Sequence, residues 1–403
     1  RRTAARLEAL RAGRGNSMHG ISLILLFCAD TRVVAQRPDG CHDAPRGFPL
    51  HRHASVDGEW VVGRKLPRYS KSTCPMIQSF EHMHDVHASE EYEFKTAGCE
   101  LPAWDRAAVS KFLAHMAGKS LLFAGDSIMG NWWVSFVCML NELVPSVEHD
   151  QHMLFGTIWD AHARFLGPDG KSSTLIGFRR LSGKFNRQDT DVLARCIHGH
   201  DVLLEVPRGK SVRVKPEVLI VNQGVWYNAP AEHSKGQDHE AGLLRNGFHE
   251  GIAVPLMQRN ATLPSLIWRE TAPQRFNTPG GLFDVFRKVD PLRNVSCERR
   301  PVAELHRYNW RNTALEPELT TLGGRVRTLP IFDLSARYPK VDHPKAGDCT
   351  HFALPGLPDT WSHLLLATLV LTRGRRGRQR SGPHLSERGY ARGRPLQQLR
   401  LSA

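Results

Sequence analysis

From about residue 102 onward, stretches of helical period alternate with short, continuously apolar runs. Val109, Phe112, Leu113 and Met116 recur at helical spacing and Gly118 follows as a stop, which predicts a helix from Pro102 to Lys119. Ser120 to Ala124 is an apolar run of strand length, and Ile128 to Leu143 again reads as a helix. Between them stands Gly125-Asp126-Ser127. Val218–Val221, Leu266–Trp268 and Val326–Phe332 predict further buried strands, and Leu175–Phe178 and Val202–Val206 are apolar runs of open placement. A last helix is expected from about Asp359 to Leu371. Helices alternating with buried strands predict a doubly wound α/β fold. Three of the strands run into polar groups: Asn222-Gln223-Gly224, Arg269-Glu270-Thr271 and Asp333. Such a sheet binds ligands at its carboxyl edge.

The 403 residues are enough for one large α/β domain or two smaller ones, and 41% hydrophobic content is ordinary for a globular chain. The net charge of +14 changes meaning once it is located. Nine arginines against one glutamate fall in 371–403, and six arginines against one aspartate and one glutamate fall in 1–35. The middle is therefore close to neutral, and nucleic-acid binding by the core loses its main support. The Arg/Gly-rich segment 372–403 is read as a disordered, solvated tail. At the other end, arginines precede the apolar run Ile21 to Ala29, and Val33-Val34-Ala35 resembles a cleavage site. Residues 1–35 are read as a signal peptide or anchor, since the run is shorter than the ~20 residues a spanning helix needs. Residues 36–100 are rich in turn formers, aromatics and histidine. They read as an irregular, cysteine-containing region ahead of the domain at 101–371.

The eight cysteines include no Cys-x-x-Cys pair, which argues against zinc and for long-range disulfides in an oxidising compartment. Asn260-Ala261-Thr262 and Asn294-Val295-Ser296 are glycosylation triplets compatible with a secretory route. Glu81, His82, His84, Asp85 and His87 form a polar cluster with no second ligand group nearby, so an exposed loop is preferred and no metal is expected.

A serine between a strand tip and a helix start is well placed as a nucleophile, because first-turn N–H groups can hold an oxyanion. The same residue is also an ordinary helix cap. Asp348 and His351 are three residues apart. The acid can hold one ring nitrogen and leave the other to serve a serine, as in Ser-His-Asp hydrolases and acyltransferases. Asn222 offers a side-chain amide for the oxyanion beside the backbone N–H of Ser127. Trp226, just beyond it, could stack on a sugar face or simply pack.

Residues 125–138, GDSIMGNWWVSFVC, resemble the Gly-Asp-Ser block of the plant trichome birefringence-like proteins. Residues 348–361, DCTHFALPGLPDTW, resemble their C-terminal Asp-x-x-His block. Segments 222–226 and 268–276, with Cys41, Cys74 and Cys99, extend the resemblance over about residues 41–371. It implies an SGNH-hydrolase-like α/β core, a three-layer arrangement of parallel sheet flanked by helices. It also implies O-acetylation of cell-wall polysaccharide in the Golgi or secretory pathway. Ser127 would be the nucleophile, His351 the base and Asp348 its orienting partner, with Gly125, Asn131, Asn222 and Trp226 around the oxyanion and substrate. No bound cofactor is expected. An acetyl donor such as acetyl-CoA, or a carrier, would supply the group, a polysaccharide would accept it, and the chain is expected to act as a monomer. An acetyl esterase of the same fold and a non-catalytic polysaccharide-binding protein are the alternatives.

The resemblance also implies the disulfides Cys41–Cys99, Cys74–Cys138 and Cys297–Cys349, with Cys196 free. By the same resemblance Ala353 stands at a family cysteine position, and the partner of that cysteine is also missing upstream, near Cys74. Gly130 stands where the family block carries an arginine, while Asn131 is kept. An arginine there could support oxyanion or substrate charge, so Gly130 puts the usual activity and acceptor in question.

Overall fold

The computed structural model describes residues 56–371, apart from 64–65, 71, 75, 77–91, 98–100, 155–156, 207–209, 230–233, 259–263, 284–295, 342 and 344–346. The segments 1–35 and 372–403, Cys41, Cys99, Asn260, Asn294 and the histidine cluster at 82–87 lie outside the described residues.

A seven-stranded sheet forms the middle layer. Its strands are β3 (Ser120–Gly125), β4 (Glu148–Leu154), β5 (Thr157–Leu166), β6 (Ser173–Arg180), β9 (Pro216–Asn222), β10 (Ser265–Arg269) and β11 (Val326–Leu329). They are ordered β11-β10-β9-β3-β6-β5-β4. The five strands β11, β10, β9, β3 and β6 are parallel, and β5 and β4 extend the sheet antiparallel. Alternate residues of β3 serve opposite faces, as a pleated strand requires. Leu121 and Phe123 join the core cluster that holds α2 (Ser127–Leu143), and Leu122 and Ala124 join the cluster on the other face. The chain leaves β3 for β6 on one side and returns to β9 on the other. The carboxyl end of β3 is therefore a topological switch point, where open α/β sheets bind ligands.

The helix α1 (Arg106–His115) begins four residues later than the apolar spacing predicts. Asp105 caps it by accepting from Ala108 N at 2.7 Å, and Gly118, at φ 71°, supplies the reversal into β3. The run Val202–Val206 (β7) is not in the main sheet but pairs antiparallel with β8 (Lys210–Val214). The last strand stops at Leu329, short of the expected Phe332, because Pro330 has no N–H for the ladder; Phe332–Arg337 is helical instead. The region before residue 101 contains a hairpin of β1 (Gly58–Val62) and β2 (Tyr92–Thr96), which the sequence pattern did not predict.

The C-terminal helix Leu357–Leu371 packs along α2. Its buried Asp359 accepts from Tyr69 Oη (2.5 Å), Ser135 Oγ (2.7 Å) and Gly356 N (3.0 Å). Trp132 donates to Ser362 Oγ and Trp361 to Ser335 Oγ. Both of these buried indole N–H groups thus find an acceptor. The disulfide Cys74–Cys138 ties the preceding region to α2. Among the described residues, no helix is long and apolar enough to cross a membrane.

Candidate active site

The N-cap of α2 is Asp126, which leaves Ser127 as the first helical residue. Asp126 Oδ1 accepts from Ile128 N (3.0 Å) and Met129 N (3.4 Å), while Oδ2 takes the N–H groups of Gly224 (3.4 Å) and Val225 (3.3 Å). One buried carboxylate therefore joins the start of α2 to the turn after β9. In the sequence Asp126 stands out only as part of the serine turn. The signal for its role was an aspartate directly ahead of a helix. The cap takes the second and third amides, and Gly130 N goes to Asp126 O, so the N–H of Ser127 is the first-turn donor left for an incoming oxygen. Gly125 makes the close approach possible. A Cβ there would lie 2.2 Å from Asn222 O and 2.4 Å from Met129 Cγ. Its contribution is steric, at the base of the serine turn.

Asp348 and His351 form a pair, with Nδ1 of His351 2.9 and 3.0 Å from the two carboxylate oxygens. The backbone N–H groups of Thr350 and His351 also donate to Asp348 Oδ1. Burial pushes the Asp348 carboxyl up. The His351 ring hydrogen bond and charge, with the two backbone donors, outweigh it and hold the group well below the usual carboxylate range. Nε2, on the far side of the ring, is the nitrogen that proton transfer would use.

The loop carrying this pair is fastened from several directions. Cys349 is bonded to Cys297, Cys349 O accepts from Arg275 N (3.0 Å), and Thr350 Oγ1 accepts from Gln274 Nε2 (3.0 Å). His343 donates Nδ1–H to His351 O at 2.5 Å; burial pushes its ring down to about 4, so it is neutral at neutral pH. Asn131 makes the tie to the nucleophile helix. Its Nδ2 donates to Phe352 O (3.1 Å) and its Oδ1 accepts from Phe352 N (3.2 Å). Residues four apart on a helix share a face. The residue next to His351 is therefore clasped one turn beyond Ser127, on the face Ser127 presents.

This geometry corrects two expectations. Asn131 does not face substrate, since both ends of its amide are spent on Phe352. Asn222 is not a free oxyanion donor: it is fully buried and its Nδ2 donates to Arg269 O (2.9 Å) and Thr271 Oγ1 (3.1 Å). Its Oδ1 accepts from Arg269 Nη2 at 2.6 Å, so the amide is a strut between β9 and β10. Trp226 is 45% exposed at the same edge, with its ring against Gly183. Gly130 meets the ring of Phe178, which would lie 3.1 Å from a Cβ placed there. Cys196 is a buried free thiol whose titration burial pushes up to about 12, so it is inert. Among the described residues, no group of three or more potential ligands could hold a metal.

Two variants follow. Asn131→Ala strands the N–H and C=O of Phe352 and is expected to cost about 1–3 kcal/mol in urea unfolding. It should also slow turnover by loosening His351, and unchanged turnover would show that the clasp does not position the ring. Glu270, one residue past β10, is pushed up by burial to about 7. Its folded form binds a proton that the unfolded chain releases near 4.5, so stability falls as pH rises from about 4.5 through 7. Glu270→Gln keeps an acceptor for Phe332 N and is expected to flatten this slope, gaining up to about 3 kcal/mol above pH 7. Thermal unfolding at pH 5 and pH 8 measures it.

Comparison with known proteins places the chain. Residues 101–247 match the PC-esterase model, described as a GDSL/SGNH-like acyl-esterase family found in Pmr5 and Cas1p. Among curated proteins of Arabidopsis thaliana, trichome birefringence-like 7 is 24% identical over 77% of this chain and 72% of its own length. Trichome birefringence-like 38 is 22% identical over 83% and 89%, and trichome birefringence-like 42 is 24% identical over 86% and 97%. With the α/β sheet, residues 101–247 match the GDSL/SGNH-like PC-esterase model, and the chain is similar along most of its length to trichome birefringence-like proteins.

Proposed function

We propose that the protein is an O-acetyltransferase that carries an acetyl group on Ser127 and delivers it to a cell-wall polysaccharide hydroxyl. The observation that supports this reading is the two-way Asn131–Phe352 hydrogen bond, which ties the residue after His351 to the helix that Ser127 opens, one turn on. In the first half-reaction His351 takes the Ser127 proton as Oγ attacks the acetyl carbonyl, and returns it to the leaving group of the donor. In the second, His351 takes the proton of a sugar hydroxyl, whose oxygen attacks the acetyl-serine; the ester bond to Oγ breaks and Oγ regains a proton. Asp348 holds the ring tautomer and the imidazolium that forms. An acetyl donor such as acetyl-CoA, or a carrier, feeds the first step, and Trp226 offers an aromatic face to the sugar. Such a reaction suits the Golgi or another secretory compartment, where disulfides such as Cys74–Cys138 and Cys297–Cys349 persist.

The family description as an acyl-esterase favours a second reading, in which water replaces the sugar. Incubation with labelled acetyl donor and an oligosaccharide separates them. The transferase reading expects label on the sugar, and free acetate without acetylated sugar would sink it.

A further inference from the structure

Three arginines feel the charge of the buried Asp126. Arg311 donates Nε to Tyr227 O and Nη2 to Asn228 Oδ1 and Gln274 Oε1. Arg269 is fully buried, donates to Asn222 Oδ1, and lies over the rings of Trp132 and Trp361 at 5.6 and 5.1 Å. Nε and Nη1 of Arg269 are buried without a hydrogen-bond partner among the described residues, and so is Nη1 of Arg180. What sets Arg180 apart is access: Arg269 is closed off from solvent, whereas Arg180 is half-buried, with its guanidinium carbon 5.8 Å from the centre of the Trp159 ring.

The sheet register says where this group stands. In the parallel pairing of β3 with β6, Arg180 is opposite Gly125, two residues before Ser127. Paired residues of neighbouring strands point to one face. Phe123 and Phe178, one pleat earlier, both belong to the cluster beneath α2. Arg180 therefore emerges on the α2 side at the carboxyl edge, and Leu181 N fixes the corner by donating to Gly125 O at 2.8 Å. Neither Gly125 nor Gly130 places a side chain in that volume. Burial pushes the Arg180 guanidinium down and Asp126 pushes it up, yet it stays charged at neutral pH.

A buried donor without an acceptor costs free energy, and a ligand that supplies the acceptor recovers it. The oxyanion of acyl transfer needs a second donor beside the Ser127 N–H, and Asn222 is spent. We propose that Arg180 is a catalytic residue that donates to the acyl carbonyl oxygen of the substrate as Ser127 attacks. The proposal rests on the reading of Ser127 as the acyl carrier. When Oγ bonds to the carbonyl carbon, the π pair moves to oxygen, which accepts from Ser127 N–H and Arg180. The pair then returns, expelling the donor's leaving group with the proton held by His351.

The test is acylation by 4-nitrophenyl acetate, read as the nitrophenolate burst and as acetyl on Ser127. Arg180→Met is expected to slow the burst roughly 100- to 1,000-fold, mainly through kcat, since an oxyanion donor acts in the transition state. In Arg180→Ala, added guanidinium at low millimolar concentration is expected to restore part of the burst. Arg180→Lys should keep more activity than Arg180→Met. Arg180→Met acylating at the wild-type rate overturns the proposal. So does a loss in Arg180→Ala that guanidinium leaves untouched while thermal unfolding matches the wild type. If Arg180→Ala unfolds early, the rate order of folded Arg180→Lys and Arg180→Met decides, and equal rates overturn it. A wild-type protein that forms no acetyl-Ser127 overturns the underlying reading as well.

Discussion

Ser127→Ala is expected to lower acetyl transfer by about 10⁵- to 10⁶-fold, the scale seen when a triad nucleophile is removed. The fold should be nearly untouched. Asp126, not Ser127, caps α2, and no hydrogen bond of the cap passes through the serine side chain. Unfolding free energy is therefore expected to change by only about 0.5 kcal/mol. Turnover with labelled donor, measured beside a thermal melt, checks both halves. A folded variant that keeps wild-type turnover would remove the serine from the mechanism.

Asp348→Asn is expected to lower turnover by about 10⁴-fold, because an amide can present N–H to Nδ1 of His351 and favour the wrong tautomer. The acid limb of stability tests the same contact. Asp348 is held below its ordinary range, so on acidification the unfolded chain takes up this proton before the folded one. The link contributes fully above the ordinary aspartate range and is lost as pH falls through the lowered folded value. Urea unfolding of Asp348→Asn should lack that part of the acid-side loss. Equal acid sensitivity in variant and wild type would show that the pair contributes nothing to the fold.

The strands β3, β9 and β10 were legible because each is a short apolar run closed by a polar group, whereas the run in β6 could be read but not placed, and the switch point at Gly125 emerges only from the observed strand order. The antiparallel β4 and β5 were not legible. Their pattern is broken by Asp160 and His162, which are buried yet polar. Asp160 is paired with Arg179 (2.6 Å) and accepts Glu205 N (2.6 Å), and His162 meets Glu148 (3.3 Å). Such long-range partners are invisible in a local window. The same limit governed the site. The Asp348–His351 pair is local, three residues apart, and could be read. The commitments of Asn222 to Arg269 and of Asn131 to Phe352 span 47 and 221 residues, so their sequence neighbourhoods suggested free amides. Arg180 carried no motif and becomes visible only through register with Gly125.

The central claim is that Ser127 carries the acetyl group between donor and sugar, and peptide mass mapping during a single turnover tests it most directly. Wild-type protein mixed with acetyl donor should gain one acetyl group on the peptide containing Ser127 and lose it to added oligosaccharide, with the acetylated sugar rising as the acetyl-peptide falls. Transfer to the sugar without any acetyl on that peptide, or an unchanged acetyl-peptide in Ser127→Ala, would contradict it.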